Sequence, residues 1–417
     1  MNKIVNDSKT FTKIKDDVTI KQEERVTRKL KQMMETKFIT EEEFFHSRPH
    51  GSQPSRLYGL PKIHKIGQPL RPILSASGSF NYGIAKLLVK RLSHLQTHHT
   101  IIDDTFKFVD ELHSLDFNMN DHKLISFDVI NLFTMVPLKE TIEIILKKLY
   151  NDLCNCQTTK KKKTTSETCS NCSNRNNMEW LLKTATEQTH FHFNGSIYIQ
   201  HEGVSMGSPL GPLLANIFLI ELEKNKMEEL ENHGVVYYRR YVDDTFTIVK
   251  KNADVNKILH ILNSFHQDIR FTAEEKNDVF LPFLDVKIIP KTTKNTSWFS
   301  TTIYRKDTFT GLILKYSSFV PHCYKRSAIS SMIYRAIRIC SNFFLLHDEF
   351  NTIKEIATGN GYPLPFVENL IRKTLNLYYQ QKEKPKKEKQ HEQQRKPLLI
   401  DIQYVPRSKK TDPYTDR

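Results

Sequence analysis

The chain has 417 residues, with 62 Lys and Arg against 47 Asp and Glu, a formal charge of +15. At 38% hydrophobic and 10% aromatic it can bury a sizeable core, which excludes wholesale disorder. No window approaches the ~18 apolar residues of a spanning helix, and a basic folded chain of this kind points to a polyanion, nucleic acid ahead of an acidic membrane.

Residues 1–53 form a polar N-terminal helical region, with Val26, Leu30, Met33 and Met34 at helical spacing. Met1–Asp7 has no apolar stretch of the kind a secretory signal needs, and six cysteines in this length argue for a reducing, intracellular compartment. Thr40 followed by Glu43 is a capping box opening a second, short helix. Residues 54–290 alternate short β-branched strands with apolar helices, which makes the fold class mixed α/β. Within them, Leu57–Lys65 and Gln68–Leu74 are broken by Gly and Pro into a β-ribbon carrying Lys62, Lys65 and Arg71. A guanidinium offers phosphate oxygens a fork and an ammonium offers them a point charge. Lys123–Val129 alternates as a strand and ends on Asp128, and after Pro137 a helix places Leu138, Ile142, Ile145 and Leu149 on one face.

Residues 151–178 hold few aliphatics, the run Lys160–Lys163 and four cysteines, and are expected to be a loop inserted between core elements. Cys154, Cys156, Cys169 and Cys172 could give four thiolates to one Zn²⁺, or be incidental to a polar loop. Phe191–Gln200 is a strand pair running into a glycine-rich turn that includes Gly207, with Ser208 as N-cap and Pro209 as first residue of the next helix. The glycines either admit a template base close to the backbone or only open that helix. Tyr237–Val249 is a hairpin with Asp243 and Asp244 at its tip. Residues 291–380 begin with a strand pair around Ser297–Arg305 and turn helical, and 381–417 are a flexible basic tail in which Pro385–Lys389 could serve nuclear import.

Adjacent aspartates repel, so a turn bearing two of them is costly unless a cation binds it. Alone, the pair is an acidic surface turn and Asp128 a capping residue. Together, an aspartate at a strand end beside a carboxylate hairpin is what two-metal phosphoryl transfer needs. Mg²⁺ prefers oxygen ligands and keeps substrate phosphates among them, so few protein carboxylates suffice.

In this order the segments resemble a reverse transcriptase of the Penelope-like retroelement family, related to telomerase. The match runs through residues 57–65, 69–73, 127–137, 203–218, 241–244, 271–288 and 304–312, and continues to a helical segment ending near 360–363. It implies a right-hand polymerase, with fingers and palm over 54–290 and a helical thumb-like domain over 291–380. By the same resemblance, Asp128, Asp243 and Asp244 hold two Mg²⁺ ions, with the Val129 carbonyl as a backbone ligand. Lys62 and Arg71 hold the triphosphate, Gly207 lies beside the nucleotide, and Phe133 forms the floor that excludes a 2′-hydroxyl. Lys276 falls in the loop near the leaving pyrophosphate. Met206 stands where many reverse transcriptases carry glutamine, a form usual in Penelope-like enzymes. Nothing after Tyr379 resembles a GIY-YIG nuclease, so either an element without its own endonuclease or a truncated fragment of a decayed copy is expected. The implied partners are an RNA template, a DNA primer and deoxynucleoside triphosphates, in the nucleus. An RNA-dependent RNA polymerase shares the palm logic but should carry a ribose-reading polar residue in place of Phe133. An inactive nucleic-acid-binding relic is the other alternative, and the presence of all three aspartates argues against it.

Overall fold

Spacing of apolar residues accounts for the helices, and alternation accounts for most of the strands. In a computed structural model the described residues are Val5, 10–63, 67–150, 169–187, 189–201, 203–275, 279–293 and 296–383. Strand β1 (Phe11–Ile14) precedes α1 (Thr19–Glu35) and α2 (Glu41–Ser47). Val26, Leu30 and Met33 of α1 are buried, and α2 opens on the expected capping box. There the Thr40 hydroxyl accepts the Glu43 N–H at 3.1 Å, and the Glu43 carboxylate accepts the Thr40 N–H at 2.9 Å. The ribbon β2 (Ser55–Pro61) and β3 (Leu70–Ser75) leads to α3 (Tyr82–Leu92) and α4 (Thr105–Ser114). Then come β4 (His122–Val129), the single turn α5 (Leu132–Met135), α6 (Leu138–Leu149), α7 (Ser170–Thr186) and the hairpin β5 (Thr189–Phe193) and β6 (Ser196–Gln200). The long α8 (Gly211–Asn232) feeds β7 (Val235–Tyr241) and β8 (Asp244–Lys250). Beyond α9 (Val255–Asn263) lie β9 (Phe271–Glu275), β10 (Leu281–Phe283), β11 (Val286–Thr292) and β12 (Ser297–Ile303). Helices α10 (His322–Ile339), α11 (Phe343–Gly359) and α12 (Leu364–Glu383) follow.

The strands make three sheets. The central one has the order β7–β8–β4–β9, the ribbon sheet β1–β6–β5–β2–β3, and the third β10–β11–β12. Buried threonines lock the register of β4 against β8. The Thr245 hydroxyl accepts the Phe127 N–H and donates to the Phe127 carbonyl, both at 2.9 Å, while Thr247 donates to the Ile125 carbonyl at 2.7 Å. A buried hydroxyl is costly without such partners, so slipping the register would orphan both. The helical module α10–α12 is tied to the rest by ion pairs: Arg305 with Glu349, and Arg338 with Asp110 at 2.8 Å.

Four sequence expectations need correction. The N-terminal region is not helical alone: β1 pairs with β6, because Phe11 buries edge-on against Phe191 at 5.6 Å. Residues 169–178 are not part of an inserted loop but open α7. Their polar composition belongs to first turns that are only partly covered, and full burial begins at Asn177 and Met178. Residues 151–168, with Cys154 and Cys156, lie outside the described residues. Helix α8 begins at Gly211 rather than Ser208, since Ser208 closes a separate turn by donating its N–H to the Ser205 carbonyl at 3.0 Å. Finally, the boundary at 290 cuts through β11, which pairs with β12 along its whole length.

Candidate active site

The two-residue turn between β7 and β8 is Val242–Asp243, and Tyr241 pairs with Asp244. Val242 sits at φ +55°, a conformation that a β-branched residue adopts only under constraint. Two hydrogen bonds hold it there. Arg240 Nη1 donates to the Val242 carbonyl at 2.9 Å, and the Val129 N–H donates to the Asp243 carbonyl at 3.3 Å. On the neighbouring strand Asp128 lies directly opposite Asp244. The fold therefore brings together the three carboxylates singled out by sequence, at the point where β4 leaves the sheet. Like charges directly opposite in a sheet destabilise it.

The Asp244 carboxyl is pushed up to about 6. Its desolvation is the largest cause, followed by the negative charges of Asp243 and Asp128; Lys306 opposes them, and Glu274 adds a smaller push upward. Among the described residues no three His, Cys, Asp or Glu side chains close into a ready-made cage. A cation held here would complete its shell with substrate oxygens or water. The donors are hard carboxylate oxygens bearing excess negative charge, which suits Mg²⁺.

Beneath the turn is a buried polar network absent from the sequence reading. Arg240 is fully buried, and its Nε donates to the equally buried Glu223 of α8. Nη1 donates to Asn216 Oδ1 at 2.9 Å, besides Val242. Glu223 accepts further bonds from the Thr100 and Tyr238 hydroxyls, and the Tyr238 phenol is pushed well above its ordinary value by burial and then by that carboxylate. The Arg240 main chain is fixed too, by Thr100 at 2.7 Å and Ile102 at 2.8 Å. The signal in the sequence was slight. Glu221 interrupts and Glu223 follows the apolar run Ile217–Leu222, and only the structure shows that Glu223 is the buried one, a carboxylate that requires a cationic partner.

Phe133 lies in α5, half-buried and packed on the main core. The glycine-rich segment is pressed against it, since the Val204 N–H donates to the Phe133 carbonyl at 2.6 Å. A Cβ on Gly203 would come within 2.3 Å of the Thr134 carbonyl. The same segment reaches the ribbon: Met206 accepts the Leu74 N–H at 2.8 Å, and a Cβ on Gly207 would stand 2.2 Å from the Leu74 carbonyl. Gly207 is thus the contact between this turn and β3, and Val129 is buried beneath the carboxylates. Arg71 is exposed on β3 opposite Leu60, and Lys62 closes the ribbon with its N–H on the Pro69 carbonyl at 2.9 Å. Lys276 lies outside the described residues. Cys169 caps α7, its Sγ accepting the Cys172 N–H at 3.4 Å, while the other two proposed zinc ligands are undescribed.

Two family models match the chain. One, described as Reverse transcriptase (RNA-dependent DNA polymerase), covers residues 63–281, and another, described as Animal helix-turn-helix domain, covers 312–372. No curated protein is similar enough to count as a match. Among solved structures the chain is similar to telomerase from Candida albicans in complex with a telomeric RNA fragment, at 11% identity and TM-score 0.48, over 84% of this chain and 60% of that one. For apo telomerase from Candida tropicalis, truncated from its C-terminal domain, the identity is 13% and the TM-score 0.38, over 58% and 54%. For the Sicinivirus 3Dpol RNA-dependent RNA polymerase they are 10% and 0.46, over 84% and 71%. The chain spans between half and two thirds of the length of those telomerase chains.

Proposed function

The chain belongs to the reverse transcriptase (RNA-dependent DNA polymerase) family, and we propose that it extends a DNA 3′-end on an RNA template by two-metal nucleotidyl transfer. Its fold is of the right-hand polymerase type, with β7–β8–β4–β9 as the palm sheet. The observation that carries the proposal is the pairing of Asp128 with Asp244, with Asp243 beside them in the turn. Two Mg²⁺ ions bound there would lower the pKa of the attacking 3′-hydroxyl and steady the leaving pyrophosphate.

The chain's own residues supply the rest. Asp128, Asp243 and Asp244 hold the metals with the Val129 carbonyl. Lys62 and Arg71, on the ribbon that Gly207 ties to the turn, neutralise the triphosphate and fix its orientation. Phe133 stands beneath the incoming sugar, and its flat ring supports a deoxynucleotide substrate over a ribonucleotide. The module α10–α12 grips the template–primer as a thumb. Met206-Gly207 and the order of the segments support a place within the Penelope-like retroelements, and the basic run Pro385–Lys389 supports action in the nucleus.

Primer extension on an RNA template with a DNA primer, deoxynucleotides and Mg²⁺ tests the reading. Mg²⁺-dependent DNA synthesis is expected. Extension restricted to ribonucleotides would reassign the chain as an RNA-dependent RNA polymerase. Template binding without any extension would leave only a binding role.

A further inference from the structure

Between α1 and α7 lies a cleft of about 470 Å³ that the polymerase chemistry does not use. Its walls carry Arg25, Arg28, Lys29 and Lys31 from α1, with the half-buried Trp180 of α7; Glu35 is the one carboxylate among the lining residues, so the net lining charge is 4 − 1 = +3. A row of cations on a helix is ordinarily a solvated face. Three observations set this one apart. First, Lys21, Arg25 and Lys29 follow one another at four-residue steps, and like charges so placed destabilise a helix. Second, among the described residues none of the four lining cations forms an ion pair. The nearby Glu23 is instead committed to the backbone N–H groups of Gly51 and Ser52, at 3.2 and 2.7 Å. Third, the cations are gathered around an aromatic ring whose helix is anchored by the buried Met178, Leu181 and Leu182. Lys29 is hydrogen-bonded to Gln32 at 3.0 Å, and among the described residues no carboxylate neutralises any of the four. Cations without carboxylate partners around a fixed aromatic face are how single-stranded polynucleotides are held, with phosphates on the charges and a base on the ring.

We infer that this cleft binds a single-stranded polynucleotide, with phosphates on Arg25, Arg28 and Lys31 and one base against Trp180. The choice of ligand rests on the nucleic-acid polymerase reading above; the site is separate from the three carboxylates.

Trp180 is itself the reporter, because the chain has two tryptophans and Trp298 is the other. Trp298→Phe leaves Trp180 as the sole indole. Titrating that full-length variant with oligo(rU) or oligo(dT) of about eight nucleotides, without nucleotides or Mg²⁺, is expected to quench its emission. The log–log salt slope should shrink by about 1.4 in the Arg25→Gln/Arg28→Gln variant, since two phosphate contacts are lost at about 0.7 each, and affinity should fall at least tenfold. Circular dichroism checks that the variant folds. The stronger of the two oligonucleotides identifies the strand. Unchanged Trp180 emission while the anisotropy of a labelled oligonucleotide reports binding would overturn the inference, as would equal quenching by polyglutamate, which carries charge but no base. The polymerase reading fails separately: quenching that persists in a chain unable to extend primers overturns that reading and leaves the cleft standing.

Discussion

Arg240 reaches past its own strand to hold the carbonyl of Val242, the strained residue of the aspartate turn, at 2.9 Å. Its charge is balanced from behind by Glu223, so the position of Asp243 and Asp244 depends on a buried ion pair rooted in α8. Removing one partner of such a pair is destabilising by about 3–5 kcal/mol, whereas replacing both by apolar groups is often neutral. Arg240→Leu is expected to lower the melting temperature and abolish extension. The double variant Arg240→Leu/Glu223→Leu is expected to recover the melting temperature while extension stays about 10–100-fold down, the scale of loss when a ligand's support is removed. Recovery of activity together with stability would mean that Arg240 does not position the turn.

Asp243→Asn and Asp128→Asn separate chemistry from binding. Each keeps the shape of the turn or strand end and removes a charge that a metal would need. Primer extension should fall by about 10³-fold or more, a loss typical of groups that neutralise phosphoryl-transfer charge. Affinity for the template–primer should change little, because the basic surface supplies it, and it should fall steeply with salt. Retained extension in Asp243→Asn would remove the metal-ligand assignment.

The raised Asp244 carboxyl gives a pH signature in the metal-free chain. Its folded value of about 6 lies above the ordinary 3.8, so between those values the folded state binds more protons than the unfolded one. The contribution is therefore favourable at the acid end and is lost as pH rises through about 6. Asp244→Asn should lose this pH dependence and be more stable than the parent at pH 7, with the two converging toward pH 4. Mg²⁺ should raise the parent's melting temperature at pH 7 more than at pH 5, since protonated Asp244 is a poor ligand. Thermal melts across pH with and without Mg²⁺ read both effects.

What sequence made legible here was local. The aspartate hairpin and the strand ending on Asp128 announce themselves through alternation and turn residues, and Thr40 with Glu43 writes its own cap. Arg240, Glu223 and Asn216 could not be found that way: they are up to 24 residues apart and meet only when α8 packs under the sheet. The strand β1 was hidden because its partner β6 lies nearly 200 residues away. The start of α7 was hidden because its first turns are polar and only partly covered. Ser208 looked like a helix cap because a serine before a proline satisfies the same preferences whether it opens a helix or, as here, a preceding turn.

Phe133 is the residue on which sugar choice should turn. It is half-buried, with its carbonyl bonded to Val204 and its ring about 3.6 Å from where a Gly211 Cβ would be, so it packs on the glycine-rich segment, and the sugar-gating role proposed for it comes on top of that packing. The two roles separate on truncation. A fully buried Phe costs about 3–5 kcal/mol when cut to Ala, and a half-buried one costs less, so Phe133→Ala is expected to fold. If the ring bars a 2′-hydroxyl, the variant should still incorporate deoxynucleotides. Its preference for them over ribonucleotides should shrink about 10–100-fold in kcat/KM, the range that a single steric contact in a pocket can supply. Phe133→Tyr, which keeps the ring's bulk, should retain the preference. Single-nucleotide incorporation with matched deoxy- and ribonucleotides measures the ratio directly. A folded, active Phe133→Ala enzyme with unchanged sugar preference would confine Phe133 to packing and place the sugar discrimination elsewhere in the site.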